Sequence, residues 1–274
     1  MKEWFKRKIK EEMYKMEERE YEDLEKKVFD FFWNEIEPLA AEIDEASQFP
    51  LKQFWPRFAE LGLLGIVIPR EYGGVGLTTA QYIPILAEAA KVCGAVRGYI
   101  HIQNTVARAI VVYGSEDQKK ELLPKIATGE LSLAFALTEA NAGTGQDIKS
   151  RAVKKDGNYI LNGEKHLITC ADFAQLFLVA CYTNAQLGAQ GMSALLVPRD
   201  TPGFTIEGMP HLMGIRGVGH GILTFKDCVV PEENVVGQEG QGLDVFLGEL
   251  EASRVFVAAS SLGGVKRPFK LSLD

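Results

Sequence analysis

Ala134-Phe-Ala-Leu-Thr-Glu-Ala-Asn-Ala-Gly-Thr-Gly-Gln-Asp147, followed by Asn162-Gly-Glu-Lys-His-Leu-Ile-Thr169, is the stretch on which the fold turns. Ala134–Thr138 is an apolar run ending in Thr-Glu, as a strand ends. Backbone amides at a strand end, followed by hydroxyls and glycines, suit a polar ring edge or a pyrophosphate. Gly143 and Gly145 permit close backbone approach, yet the Gly-x-Gly fragment alone also reads as a plain loop. It is no Rossmann fingerprint, since the third glycine and the following helix are both missing. Ile168-Thr169 ends a second strand, and two strand-end threonines together can present hydroxyls to one heteroaromatic ring.

Upstream of this stretch the period is helical. Phe5, Ile9, Met13 and Met16, then Leu24, Val28, Phe32, Ile36, Leu39 and Ile43, recur on one face, and Pro38 is expected to kink or divide it. Helical patterns continue at 51–63, 80–92, 96–113 and 116–127, with Ser115 as an N-cap. The Lys6–Lys10 cluster reads as a solvated helix extension in preference to a membrane-surface contact. Downstream, Asp156-Gly157 and Asn162-Gly163 are hairpin signals, and further strands are expected at 176–182, 192–197, 204–206 and 221–225. From about Gln241 the helical period returns. Gly263-Gly264 and Pro268 are expected to interrupt it, and no partner helices for this segment are visible in the chain. The order is α+β: an all-α N-terminal domain, an antiparallel β-barrel-like domain, and the first helix of a C-terminal bundle. The corresponding boundaries are 1–128, 129–240 and 241–274.

Bulk properties narrow the function. The chain has 274 residues, 46% hydrophobic and 24% charged, which disfavours disorder. A formal net charge of -7 disfavours nucleic acid as the main partner. No apolar run spans a bilayer and no signal-peptide core opens the chain, so a cytoplasmic location is expected, with no membrane partner. Cys93, Cys170, Cys181 and Cys228 form no CxxC pair and read as buried thiols. His101, His166, His211 and His220 lack ligand spacing, so no metal site is expected. The stretch Gly214–Gly219 reads as a turn before it reads as a phosphate loop.

Several blocks in order resemble the acyl-CoA dehydrogenase family: Leu61–Gly74, Leu122–Gly129, the Thr138-Glu139 loop, Leu161–Thr169, Met213–Gly217, Phe225–Gly237 and Glu251–Gly263. The resemblance implies a helical domain, a middle β-domain and a C-terminal four-helix bundle, with FAD between them. It assigns Phe135, Leu137, Thr138, Leu167, Ile168 and Thr169 to the flavin ring. Gly143 and Thr144 fall to the pyrophosphate, Thr144 also to coenzyme A, and Glu251 and Arg254 to the acyl-CoA site. It departs at Ala140 for proline, Thr144 for serine, Gly145 for aspartate, Leu167 for an aromatic residue and Cys170 for asparagine.

The resemblance further implies α,β-dehydrogenation of an acyl-CoA in fatty acid metabolism, with an electron-transfer flavoprotein as acceptor and a homo-oligomer, typically a homotetramer. No catalytic residue is assigned within the chain. The family's glutamate lies late in the bundle, beyond Asp274, and a minority branch places it at the position of Ser253. Glu251 is expected to pair with Arg254. Two other readings stand beside this one: a non-catalytic flavin- or CoA-binding subunit completed by a partner chain, and an acyl-CoA oxidase-like enzyme.

Overall fold

A computed structural model describes residues 16–142, 147–209 and 212–273. Phe5, Ile9, Met13, the Lys6–Lys10 cluster, Gly143, Thr144, Gly145 and His211 lie outside the described residues.

The N-terminal half is helical through Ala127, as the periodicity predicts. Helix α1 (Glu18–Phe31) passes through one π-turn (Phe32–Ile36) and one 3-10 turn (Glu37–Leu39) into α2 (Ala40–Ala46). The division falls at Pro38, which has no N–H to offer the helix ladder. Val28, Phe31, Phe32, Ile36 and Ile43 stay on the buried face throughout. Helices α3 (Leu51–Glu60), α4 (Thr79–Val92), α5 (Gly94–Tyr113) and α6 (Glu116–Ala127) follow. Reciprocal capping boxes, Thr78 with Gln81 and Ser115 with Gln118, start α4 and α6. Most of α5 is buried, including two amides. Gln103 donates to the Leu131 carbonyl at 2.9 Å and accepts from the Leu133 N–H at 3.0 Å, which ties the central helix to the first strand.

Among the described residues seven strands follow: β1 (Leu133–Ala136), β2 (Arg151–Lys155), β3 (Asn158–Thr169), β4 (Leu176–Tyr182), β5 (Met192–Pro198), β6 (Phe204–Gly208) and β7 (His220–Pro231). They form one curled sheet in the order β1-β4-β2-β3-β7-β6, with β5 on the other edge of β4. The sheet is mixed, which corrects the antiparallel expectation. β1 runs parallel to β4 over Leu133–Ala136, and β2 touches β4 in parallel at Arg151 and Tyr182. The long connection through the β2–β3 hairpin brings the chain back beside β1 in the same direction, and only a long connection can do so.

Asp156 and Gly157, both at positive φ, make the hairpin turn between β2 and β3 as expected. Asn162-Gly163 does not turn. It lies inside β3, where the ladder to β7 shifts register. Gly163 is required by close approach, because a methyl group there would overlap the Ser150 side chain.

Helix α7 (Gly242–Leu271) continues through Gly263-Gly264 and Pro268 without interruption. Gly263 marks a helix contact, since a Cβ there would overlap the Ala87 carbonyl oxygen of α4. The helix therefore has partners after all: Phe256 packs on Tyr82 of α4 at 4.9 Å and on His101 of α5 at 6.0 Å between ring centroids. Its opposite face leaves Val255, Leu262, Val265 and Phe269 exposed. All four cysteines are free and buried. Among the described residues no helix is long and apolar enough to cross a membrane.

Candidate active site

The end of β1 is fastened to β3 by a buried ion pair that reasoning from the sequence did not single out. Lys165 has a fully buried side chain, and its Nζ donates to the Leu137 carbonyl at 3.1 Å and to Glu139 Oε1 at 2.9 Å. Glu139 also accepts from the Ser150 N–H (3.0 Å), the Ser150 hydroxyl (2.7 Å) and the Lys149 N–H (2.6 Å). Burial works to raise the Glu139 pKa, but the hydrogen bonds from Ser150, Lys165 and Lys149 outweigh it and hold the carboxyl below its usual range. Burial pushes the Lys165 ammonium down, against the pull of Glu139. The Thr138 carbonyl then accepts from the His166 N–H at 2.8 Å. One signal was available: a lysine on the buried phase of an alternating strand needs a carboxylate partner.

Between Lys165 and Ile168 the ladder to β7 slips by one residue, and Leu167 takes φ 56°. That backbone is strained for any residue but glycine. The bulge turns Leu167 outward to 51% exposure while Ile168 is buried and Thr169 half-buried. The hydroxyls of Thr138 and Thr169 are engaged by no other described residue. Behind them the Phe135 ring packs on Phe246 of α7 at 4.9 Å, and the Leu137 side chain is buried. The structure thus brings Phe135, Leu137, Thr138, Leu167, Ile168 and Thr169 to the adjoining ends of β1 and β3. A half-open pocket of about 230 Å³ adjoins them, lined by Glu139, Asn141, Ala142, Lys149, Ser150 and Gly163.

Glu251 and Arg254 are both exposed on α7, and no ion pair joins them among the described residues, contrary to expectation. The polar residues on the buried side of α7 are others. Glu249, 1% exposed, pairs with Arg108 of α5 at 2.7 Å; burial raises its carboxyl to about 7 against the lowering effect of Arg108. Ser253 has no histidine near it in sequence, yet the fold supplies one: its Oγ lies 2.9 Å from His101 Nε2. His101 is 5% exposed, its Nδ1 has no partner among the described residues, and burial pushes its pKa down to about 3. These pairings join residues more than a hundred positions apart and leave no local pattern in the sequence.

Residues 18–130 match the family description "Acyl-CoA dehydrogenase, N-terminal domain", and residues 134–228 match "Acyl-CoA dehydrogenase, middle domain". The chain is 37% identical to an acryloyl-CoA reductase (NADH) of Anaerotignum propionicum, over 96% of this chain and 68% of that protein. It is 34% identical to a short-chain specific acyl-CoA dehydrogenase of Clostridium acetobutylicum, over 89% of this chain and 65% of that protein. The crystal structure of an acyl-CoA dehydrogenase from Geobacillus kaustophilus superimposes with a TM-score of 0.87 at 32% identity, covering 94% of this chain and 68% of that one. The chain spans about two thirds of the length of these relatives. These matches cover most of the chain, which therefore belongs to the acyl-CoA dehydrogenase family.

Proposed function

We propose that this chain carries the flavin and thioester sites of an FAD-dependent acyl-CoA dehydrogenase that oxidises the CH–CH bond next to the thioester. The observation that carries this reading is the pair of strand-end threonines, Thr138 and Thr169, held close together by the Glu139–Lys165 clamp, with hydroxyls that meet no partner among the described residues. These residues fit the cofactor. A flat heteroaromatic ring has a polar edge that accepts hydrogen bonds and faces that need apolar cover. Thr138, Thr169 and the backbone around Leu137 and Ile168 would hold that edge, and the outward Leu167 and the Phe135–Phe246 pair would supply apolar contact. Bound FAD supplies the two-electron acceptor for hydride from the β-carbon. Gly143 and Thr144 are assigned to the pyrophosphate, with Thr144 also at coenzyme A. Glu251 and Arg254, exposed on α7, are assigned to the CoA thioester.

The chain orients the substrate and leaves proton abstraction to a carboxylate outside residues 1–274. Ser253 is bonded to a neutral imidazole and is a weak acceptor for a carbon-bound proton. Glu249 is tied to Arg108, and Glu251 points into solvent. We read residues 1–128 as the helical domain, 129–240 as the flavin-binding domain and 241–274 as the opening of a four-helix bundle. The exposed apolar face of α7 then meets further bundle helices or a second copy in a cytoplasmic homo-oligomer, and an electron-transfer flavoprotein takes the electrons.

The test is anaerobic titration of the FAD-supplied chain with butyryl-CoA, followed by flavin absorbance. A saturable spectral shift without rapid bleaching is expected. Absence of FAD binding at micromolar concentration overturns the reading. Rapid bleaching that survives in the Ser253→Ala and Glu251→Gln variants places the base elsewhere within the chain.

A further inference from the structure

Thr169 stands opposite His220 in the β3–β7 ladder. One residue beyond this pair on each strand, the Cys170 N–H donates to the Gly219 carbonyl at 2.8 Å. That pattern makes Thr169 and His220 a non-hydrogen-bonded pair, the closer kind in an antiparallel ladder, with Cα atoms about 4.5 Å apart. Their side chains leave the same face of the sheet, and both residues are half-buried. Their neighbours Ile168 and Gly221 face the other way and are buried. The His220 imidazole is therefore the direct neighbour of the threonine assigned to the flavin edge.

The His220 Nδ1 lies 3.0 Å from the Val218 carbonyl oxygen. A carbonyl only accepts, so Nδ1 carries the proton of the neutral ring and Nε2 keeps a lone pair. Nε2 has no hydrogen-bond partner among the described residues. Asp172, between β3 and β4, lies against the residue before His220: a Cβ on Gly219 would fall 2.0 Å from the Asp172 carboxyl carbon. Burial lowers the His220 pKa, while the Val218 carbonyl and the Asp172 carboxylate pull it back up. The ring is thus neutral at pH 7, with an open site for one proton beside a carboxylate. Arg199 and Tyr99 of α5 act on Asp172. Glu207 of β6 stands opposite Ile222, two residues along β7. On β3, His166 and Glu164 pair with each other.

Hydride brings two electrons and one proton, so its arrival on a neutral acceptor leaves one added negative charge. A negative charge in a partly buried site strengthens the hold of a nearby imidazole on a proton. Resting on the flavin reading above, we propose that His220 is a proton-uptake residue: its Nε2 binds one proton from water when hydride is delivered beside Thr169, and releases it when the two electrons leave. Water supplies the proton and takes it back, so one N–H bond forms and later breaks on the ring. No protein atom is oxidised or reduced. The imidazolium offsets the charge that hydride brings, and Asp172 sets the pH at which the ring can respond. Each pair of electrons is thereby coupled to one extra proton over a limited span of pH.

The experiment is a dye-mediated potentiometric titration of the FAD-supplied chain, without any thioester, from about pH 5 to about pH 9, a range that brackets a histidine. The slope of midpoint potential against pH counts the protons taken up with each pair of electrons. The expected result is a window in which the slope doubles, from about one proton per pair to about two. In His220→Gln, which cannot titrate, the doubled slope disappears. In Asp172→Asn, which leaves the imidazole in place, the window moves to lower pH, a shift that a merely structural histidine would not produce. In His166→Asn the window stays where it is. Circular dichroism and quenching of FAD fluorescence confirm that each variant folds and holds FAD. A single slope throughout in the wild type overturns the proposal and leaves the flavin reading intact. A doubled slope that survives His220→Gln, or is lost in His166→Asn, overturns His220 as the proton's site. An unmoved window in Asp172→Asn overturns the part given to Asp172. Failure of the wild type to bind FAD overturns the flavin reading and this one with it.

Discussion

Lys165 Nζ lies 2.9 Å from Glu139 Oε1, with the lysine side chain wholly shut off from solvent and the glutamate nearly so. The pair joins the end of β1 to the strand that carries Thr169, so the two threonines of the proposed flavin edge share one fastening. A buried charge is costly unless its partner is present.

Replacing Lys165 by methionine leaves Glu139 with its bonds to Ser150 and Lys149 but without a counter-charge. The expected loss is about 3 kcal/mol, the usual penalty for breaking a buried pair from one side. Equilibrium unfolding in urea measures it, and a loss below about 1 kcal/mol would mean that water reaches the pair. The same variant should bind FAD more weakly, because the Leu137 carbonyl loses its ammonium donor and Thr138 its anchored neighbour.

Thr169→Val and Thr138→Val keep the side-chain shape and remove one hydroxyl each. Each is expected to weaken FAD binding by roughly tenfold, the equivalent of one net hydrogen bond of about 1.4 kcal/mol. Fluorescence quenching of added FAD reads the change. Wild-type affinity in both variants would remove these hydroxyls from the flavin site.

Glu249 makes a pH-dependent contribution of known sign. Its carboxyl stands at about 7 in the folded chain against a reference of 4.5, so the folded state holds a proton that the unfolded state releases. Stability from this group is highest below about 4.5 and falls as pH rises to about 7. His101, pushed down to about 3, contributes in the opposite sense: it costs stability as pH falls below its reference of 6.5. The raw profile mixes the two, so the informative quantity is the difference between wild type and Glu249→Gln. That difference should shift in favour of the variant by roughly 3 kcal/mol between the two pH limits. A flat difference would show that Arg108 keeps the carboxylate ionised throughout.

Neighbouring glycines in α7 should behave differently. A methyl at Gly263 overlaps the Ala87 carbonyl oxygen, whereas at Gly264 the nearest atom, a backbone oxygen of Ala90, is 3.9 Å away. Gly263→Ala should cost about 2 kcal/mol by prising α7 from α4. Gly264→Ala should gain about 0.5–1 kcal/mol from helix propensity alone. Thermal unfolding separates them, and equal effects would contradict the crossing.

Local grammar made much of this fold legible. Ser115 at a helix start, Pro38 between helical turns and Asp156-Gly157 between alternating strands each act within a few residues, and each lies where that chemistry requires. The errors share a different cause. Gly163 and Gly263-Gly264 read as a turn and a break because sequence shows a missing side chain without showing what fills the space. In both places the space is filled by a distant segment, Ser150 in one case and Ala87 in the other. The same limit applies to the mixed sheet and to the site. Thr138 and Thr169 are legible at strand ends, while the Lys165 clamp and the α5–α7 pairs exist only once distant helices and strands meet.

The bulge before Ile168 has one more effect, on parity. Up to Lys165 the inward residues of β3 are odd-numbered: Tyr159, Leu161 and Lys165. After it they are even-numbered: Ile168, and Cys170 just beyond the strand. Two residues of β3 stand opposite one residue of β7, and the strand emerges in the other phase. A strand of strict alternation with the same letters would send Leu167 inward and Ile168 out, and would face Thr169 into the barrel. Any residue-by-residue comparison of this strand with one that lacks the slip must therefore carry a one-residue gap at His166–Leu167, or it will set Thr169 against a side chain from the opposite face.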